Sequence, residues 1–108
     1  ALPGKERIER RDGAVHVYMT AVRSHFRPDQ VVVNKGDKVV WHITNVERTQ
    51  DATHGFAISG YNINLSIEPG RAETCTFVAD RSGVFPFYCT EFCSAVHLEV
   101  AGYLLVKP

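Results

Sequence analysis

The chain has 108 residues, 12 basic and 12 acidic side chains, and a formal net charge of zero. That length suits one domain around one hydrophobic core, and a balanced charge supplies no steering field for a polyanion, so nucleic acid is not an expected partner. No run approaches the roughly 18 apolar residues that cross a bilayer, so the chain is expected to be soluble; its three cysteines are an odd number and cannot form a complete disulfide framework within one chain.

Lys5, Arg7, Arg10 and Arg11 crowd the start together with Glu6 and Glu9. Residues 1–14 therefore read as a solvated N-terminal arm, ahead of a single domain over 15–108. The chain starts at Ala1 without an initiator methionine, as a processed product or a fragment of a longer protein does. VHVYMTAV at 15–22 alternates and is rich in β-branched and aromatic residues, which predicts a strand. QVVVNKGDKVVWHITNV follows, two strand-like runs around Asn34 and Gly36, both turn formers, so a β-hairpin or comparable sharp reversal is expected. After a polar stretch at 47–53, HGFAISG and YNINLSIE read as short strands parted by Gly60. Pro69 and Gly70 mark a turn, Ala72 to Ala79 alternates as a strand, and Asp80 to Gly83 turns again. Val84 to Tyr88 then leads into a cysteine segment, and 102–106 closes the chain as a last strand. Short strands separated by Gly, Pro, Asn and Asp clusters, with no long 3.6-residue stripe, indicate an all-β fold, an antiparallel sandwich or barrel.

The chemistry concentrates in the segment CTEFCSAVHLEV, which holds Cys89, Cys93 and His97, with His54 far upstream in THGF. Two thiolates and imidazole form a soft nitrogen-sulfur donor set that selects copper or zinc over magnesium, calcium or manganese. Plainer readings are a local disulfide between Cys89 and Cys93 or a pair of buried thiols. Zinc competes for the same four side chains as a closed tetrahedral structural site. Zinc ribbons and fingers, however, pair their ligands at closer spacings on tiny scaffolds that need the metal to fold, whereas a domain of this size has its own core. A β-sandwich that holds one histidine at a strand end and the other ligands on a single loop fixes the geometry in both oxidation states, which suits copper and electron transfer. One cysteine with two histidines makes a mononuclear blue site; a second cysteine on the loop allows two coppers bridged by both sulfurs.

Other candidates have plain readings. Met19, the single methionine, reads as a core side chain. Cys75 alternates with Phe77 and reads as a buried structural thiol. His16, His25 and His42 read as surface or hydrogen-bonded polar side chains, and Trp41 as core or packed near the metal site, with a surface electron-entry role as the alternative.

His54 followed by Cys89-x3-Cys93-x3-His97 resembles the binuclear CuA site of cupredoxin domains in cytochrome c oxidase subunit II and nitrous oxide reductase. The flanking text VYMTAV at 17–22, ITNVERTQDATHGF at 43–56, TFVAD at 76–80, FYC at 87–89 and HLEVAGYLLV at 97–106 is similar to the C-terminal domain of nitrous oxide reductase from about Val15 onward. The resemblance implies a cupredoxin-like Greek-key β-sandwich with Cys89 and Cys93 bridging two copper ions of a mixed-valence CuA centre. His54 and His97 then each cap one copper, and the Glu91 backbone carbonyl is a weak ligand. Glu91 is an oxidase-like detail, since the reductases carry Trp there. Asp51 and Trp41 fall where a second layer of contacts would lie, Asp51 orienting a histidine ring or sitting at a docking edge.

Val100 departs from the pattern: the family's axial methionine belongs there, and valine has no donor atom. A natural three-coordinate variant, a ligand mutant and a site turned to another metal are the three open accounts. Losing a soft axial ligand and leaving a dry wall is expected to raise the redox potential. The resemblance further implies a periplasmic or other extracytoplasmic electron-transfer domain that is not catalytic alone, the electron-entry domain of a nitrous oxide reductase or a stand-alone relative. Its donor is then a cytochrome c or a small cupredoxin and its acceptor a copper cluster or haem, with a dimer in the full-length parent. The alternatives are a copper chaperone or assembly protein and the soluble domain of an oxidase subunit II.

Overall fold

The computed structural model describes residues 6–22, 25–46, 54–89 and 99–108. Ten strands run in chain order: β1 (Arg7–Arg11), β2 (Ala14–Val22), β3 (His25–Arg27), β4 (Gln30–Asn34), β5 (Lys38–Asn45), β6 (His54–Ile58), β7 (Ile63–Ile67), β8 (Ala72–Val78), β9 (Gly83–Cys89) and β10 (Glu99–Lys107). They form two five-stranded sheets. Sheet A has the order β1-β2-β5-β8, with β3 also paired to β2; sheet B has the order β4-β10-β9-β6-β7. No helix occurs among the described residues, so the expected all-β sandwich is what forms.

Alternation explains the layers. Along β2, Val15, Val17 and Met19 are buried, and along β5 Val39, Trp41 and Ile43 are, while the residues between them face outward. Sheet B contributes Val31, Val33, Phe56, Ile58, Ile67, Phe87 and Leu104 to the same core. Period-two patterning of this kind commits one face of each strand to the interior, and a one-residue slip would expose it.

At 34–37 the structure decides between the two alternatives, and the expectation of a purely antiparallel sandwich needs correction. The reversal at 34–37 is present, with the Asp37 amide donating to the Asn34 carbonyl at 3.0 Å, but β4 and β5 do not form a hairpin. They enter opposite sheets, β4 pairing in parallel with β10 and β5 in parallel with β2. The sheets are thus mixed rather than purely antiparallel. The turn signal in the sequence reports the local change of direction; the long-range strand pairing is decided by which partner completes a buried face. Residues 7–11 form β1, hydrogen-bonded antiparallel to β2. A carboxylate-guanidinium contact from Asp37 to Arg10 at 2.9 Å ties this strand to the β4–β5 turn.

Gly102 is a point of close approach. Its position on β10 follows the irregularity between Val100 and Gly102 in the pairing with β9. A methyl group there would collide with the Asp29 carbonyl oxygen and the edge of the Phe87 ring. The next amide, Tyr103, donates to that same carbonyl at 2.9 Å. Gly102→Ala is therefore expected to cost about 1–3 kcal/mol of stability through overpacking, measured as a lower urea midpoint at unchanged m-value.

Candidate metal centre

Cys89 ends β9 and is 1% exposed. It sits opposite Phe56 on β6 and opposite Glu99 on β10, so its sulfur is delivered into the interior by the strand between two neighbours. His54 opens β6, two residues before Phe56, and pairs with Ile67 on β7. His54 and Cys89 are therefore diagonal neighbours on adjacent strands, a relation that sets residues roughly 7–8 Å apart. Two of the four proposed donors, remote in sequence, are gathered at one end of sheet B by register alone. Cys93, His97, Glu91 and Asp51 lie outside the described residues. Among the described residues no group of three or more His, Cys, Asp or Glu side chains comes together.

The sulfur of Cys89 is disulfide-bonded, whereas Cys75 is a free thiol. Cys75 is half-buried on β8 opposite Trp41, and burial pushes its pKa up to about 11. It is thus a protonated, unreactive thiol at neutral pH, in keeping with a structural role. The donor set fits a soft metal in one respect and imposes a condition in another. A cysteine sulfur in a dry pocket beside a histidine-bearing strand suits copper, but ligation needs the thiolate, so Cys89 has to be reduced first.

The single thioether is placed elsewhere. Met19 is fully buried, and its sulfur accepts a hydrogen bond from the Trp41 indole N–H at 3.4 Å. Trp41 is itself 0% exposed, which removes the surface electron-entry reading. Its ring packs against Phe56 at 5.4 Å and Phe87 at 5.8 Å between centroids, so it supports the site through Phe56, the strand partner of Cys89.

Val100 is 50% exposed and pairs with Tyr88. Directly paired residues of an antiparallel ladder share a face, and neighbouring residues alternate. The Val100 side chain therefore shares the outer face with Tyr88, opposite to the face into which Cys89 is buried. A dry apolar wall at this position, expected from the sequence, is not what the structure has.

Asn45 is the residue that motif reading passed over. At the end of β5 in sheet A it is 0% exposed, and its side-chain amide donates to the Ile67 carbonyl at 2.8 Å. Its own amide donates to the Arg71 carbonyl at 2.9 Å, and its carbonyl accepts from the Gly70 amide at 2.9 Å. Since Ile67 is the partner of His54, this buried amide pins sheet A to the strand that frames the histidine. Buried polar groups are placed only where partners exist, and an isolated Asn after a strand was the available signal.

The two sheets, their mixed topology and the paired strands that bring Cys89 beside His54 define a cupredoxin-like β-sandwich of the copper-protein class. The chain belongs to the family of cytochrome c oxidase subunit II periplasmic domains, whose model matches residues 13–103. It is 38% identical over 99 residues to the nitrous-oxide reductase of Stutzerimonas stutzeri, an alignment that covers 91% of this chain and 16% of that protein. Over 91 residues it is 31% identical to cytochrome c oxidase subunit 2 of Thermus thermophilus, covering 84% of this chain and 64% of that one. Among solved structures, a chain of a heme-copper terminal oxidase dimer has the same fold, with a TM-score of 0.74 at 22% identity over 95% of this chain and 71% of that chain. The chain is accordingly a CuA-type cupredoxin domain with a periplasmic or other extracytoplasmic setting. No described helix is long and apolar enough to cross a membrane.

Asn45→Ala strands the Ile67 carbonyl without its donor. A stability loss of about 1–3 kcal/mol is expected, together with faster amide exchange across the β6–β7 pair; protection there equal to the parent chain would show that Asn45 does not brace the histidine strand.

Proposed function

We propose that this chain is an electron-transfer domain with a binuclear copper centre held by His54, Cys89, Cys93 and His97 and by the backbone carbonyl of Glu91. The observation that carries the reading is the register that makes His54 and buried Cys89 diagonal neighbours at one end of sheet B. Bound there, copper supplies one-electron chemistry between two close oxidation states. The protein's part is to deliver thiolate and imidazole from paired strands, and to keep water from Cys89 with Phe56 and Phe87. Both phenyl groups are 0% exposed. A fixed donor set lowers the reorganisation that accompanies each electron, which is how the fold serves the reaction.

The further steps of the reading are the acceptance of electrons from a cytochrome c or a small cupredoxin and their passage to a copper cluster or haem. The chain spans 16% of the nitrous-oxide reductases it resembles, and reduction of nitrous oxide is assigned to a parent protein rather than to this domain. Dimer formation likewise belongs to that parent.

The purified domain, reduced to free Cys89 and then loaded with copper, is expected to bind two coppers per chain and to give a purple colour with a seven-line hyperfine pattern in its EPR spectrum. A single copper with a four-line pattern, or colourless and readily exchanged Cu(I), would overturn the binuclear assignment and favour a copper carrier. Omitting the reduction step is expected to abolish the coloured species, because a disulfide sulfur is not a thiolate ligand.

Position 100 gives a second check. The resemblance makes position 100 a ligand position although its side chain lies beside Tyr88; a thioether that Val100→Met brings round to the centre is expected to lower the redox potential, since an added donor stabilises the more positively charged oxidised state. A potential that stays the same or rises would show that side chain 100 keeps its place beside Tyr88 on the outer face when copper is bound.

A further inference from the structure

The outer face of sheet A carries a second concentration of metal-binding groups. Strand register sets Arg7, Tyr18, His42 and Thr74 in one row across β1, β2, β5 and β8, and Glu9, His16, Val40 and Thr76 in the next. The His16 Nδ1 lies 3.2 Å from the His42 Nε2, and the two rings are within 7° of parallel with centroids 5.5 Å apart. The rings therefore meet edge to edge and share a proton between facing nitrogens. On the far side of His42, its Nδ1 is 3.1 Å from the Thr74 hydroxyl. The Tyr18 ring stacks on His42 at 4.7 Å and 10°, and the Arg7 guanidinium covers the Tyr18 ring at 4.1 Å.

We propose that His16 and His42 form a second, exchangeable transition-metal site on this face, for copper(II) or zinc(II), separate from the cysteine centre. Metal–nitrogen bonds of about 2.0–2.1 Å drawn to two nitrogens this far apart meet at roughly 100°, close to tetrahedral. A turn of each ring by roughly 40° brings both lone pairs onto one ion, which takes the place of the shared proton. Thr74 supplies the outer contact: in the tautomer that donates its Nδ1–H to the Thr74 hydroxyl, His42 keeps Nε2 unprotonated toward His16, the arrangement in which metal-bound imidazoles are held. Imidazole is also the ligand that borderline divalent ions prefer.

Burial first, and then the positive charges of His16 and Arg11, hold the His42 pKa below the ordinary histidine value, so the neutral, ligating form prevails at neutral pH. Both rings are half-buried, which leaves the remaining coordination positions to water. Glu9, opposite His16, is engaged by Arg7 and Arg11, and the Arg11 guanidinium also contacts the Tyr18 hydroxyl. With two protein ligands and guanidinium groups nearby, binding is weak and reversible, unlike that of a sulfur centre. The inference stands on these side chains alone and is independent of the copper reading of Cys89.

The test uses the chain with its Cys89 disulfide intact, so that Cys89 cannot ligate and the remaining thiol, Cys75, stays protonated, and adds copper(II) in substoichiometric steps. Histidine ring signals are followed by NMR and the copper by EPR. The rings of His16 and His42 are expected to broaden first, with a mononuclear, nitrogen-ligated copper(II) signal. Thr74→Val is expected to weaken binding by about tenfold, and His16→Gln and His42→Gln by more, each with an unchanged backbone amide spectrum. Zinc(II), measured by competition with a chelator, is expected to follow the same order. Affinity unchanged by both glutamine variants, or broadening confined to the other histidines, overturns the site. If one glutamine variant fails to fold, the other and Thr74→Val decide the outcome.

Discussion

Contact between one indole and two phenyl rings holds the two sheets together. Trp41 rises from β5 in sheet A and lodges against Phe56 of β6 and Phe87 of β9 in sheet B, and Phe26 closes the cluster edge-on to both phenyl rings. Burying each large ring stabilises by about 1.5–3 kcal/mol, and each well-oriented aromatic pair adds about 0.5–1.5 kcal/mol. Among the described residues no ion pair approaches that: the guanidinium groups of Arg7, Arg10, Arg11 and Arg81 are exposed, a class in which contributions are small. The aromatic cluster also lies under Cys89 of the proposed metal centre, because Phe56 is that residue's strand partner. Stability and site geometry rest on the same atoms.

From that floor the donors are placed by backbone rather than by side-chain adjustment. β6 and β9 bring His54 and Cys89 to one end of sheet B, and Asn45 crosses from sheet A to fasten the β6–β7 pair beside them. Where β10 passes Phe87 and the Asp29 carbonyl there is room for no side chain, and glycine occupies that place. An electron-transfer domain benefits from donors carried on hydrogen-bonded strands, since a donor set that shifts little between oxidation states lowers the reorganisation that each electron requires. The outer face of sheet A is built differently. Its His16, Tyr18 and His42 lie half-buried against one another under the exposed Arg7 on the side away from the core, which suits reversible binding.

Strand identity was legible wherever burial follows a strict period of two. The stretches 15–19, 38–45 and 74–78 each alternate in burial, and a residue's neighbours two places away carry the same information. β1 and β3 went unread because charge crowds one and the other is three residues long. The turn at 34–37 was legible, but whether its strands pair with each other was not. Turn chemistry is local, and the parallel partners β2 and β10 lie far away in sequence. Asn45 looked like any polar strand end until Ile67 was found opposite its amide.

By itself the sequence determined the all-β class and the soft set of cysteine and histidine side chains, because residue types and spacings are covalent facts; that Val100 stands where a thioether is expected came from the resemblance. Only the tertiary structure decided that Met19 is locked in the core by Trp41, that Val100 shares the outer face with Tyr88, and that His16 meets His42 across two strands. These are properties of register and sheet pairing. They arise when remote strands compete to bury the same core, and no local stretch of the chain encodes which pairing wins.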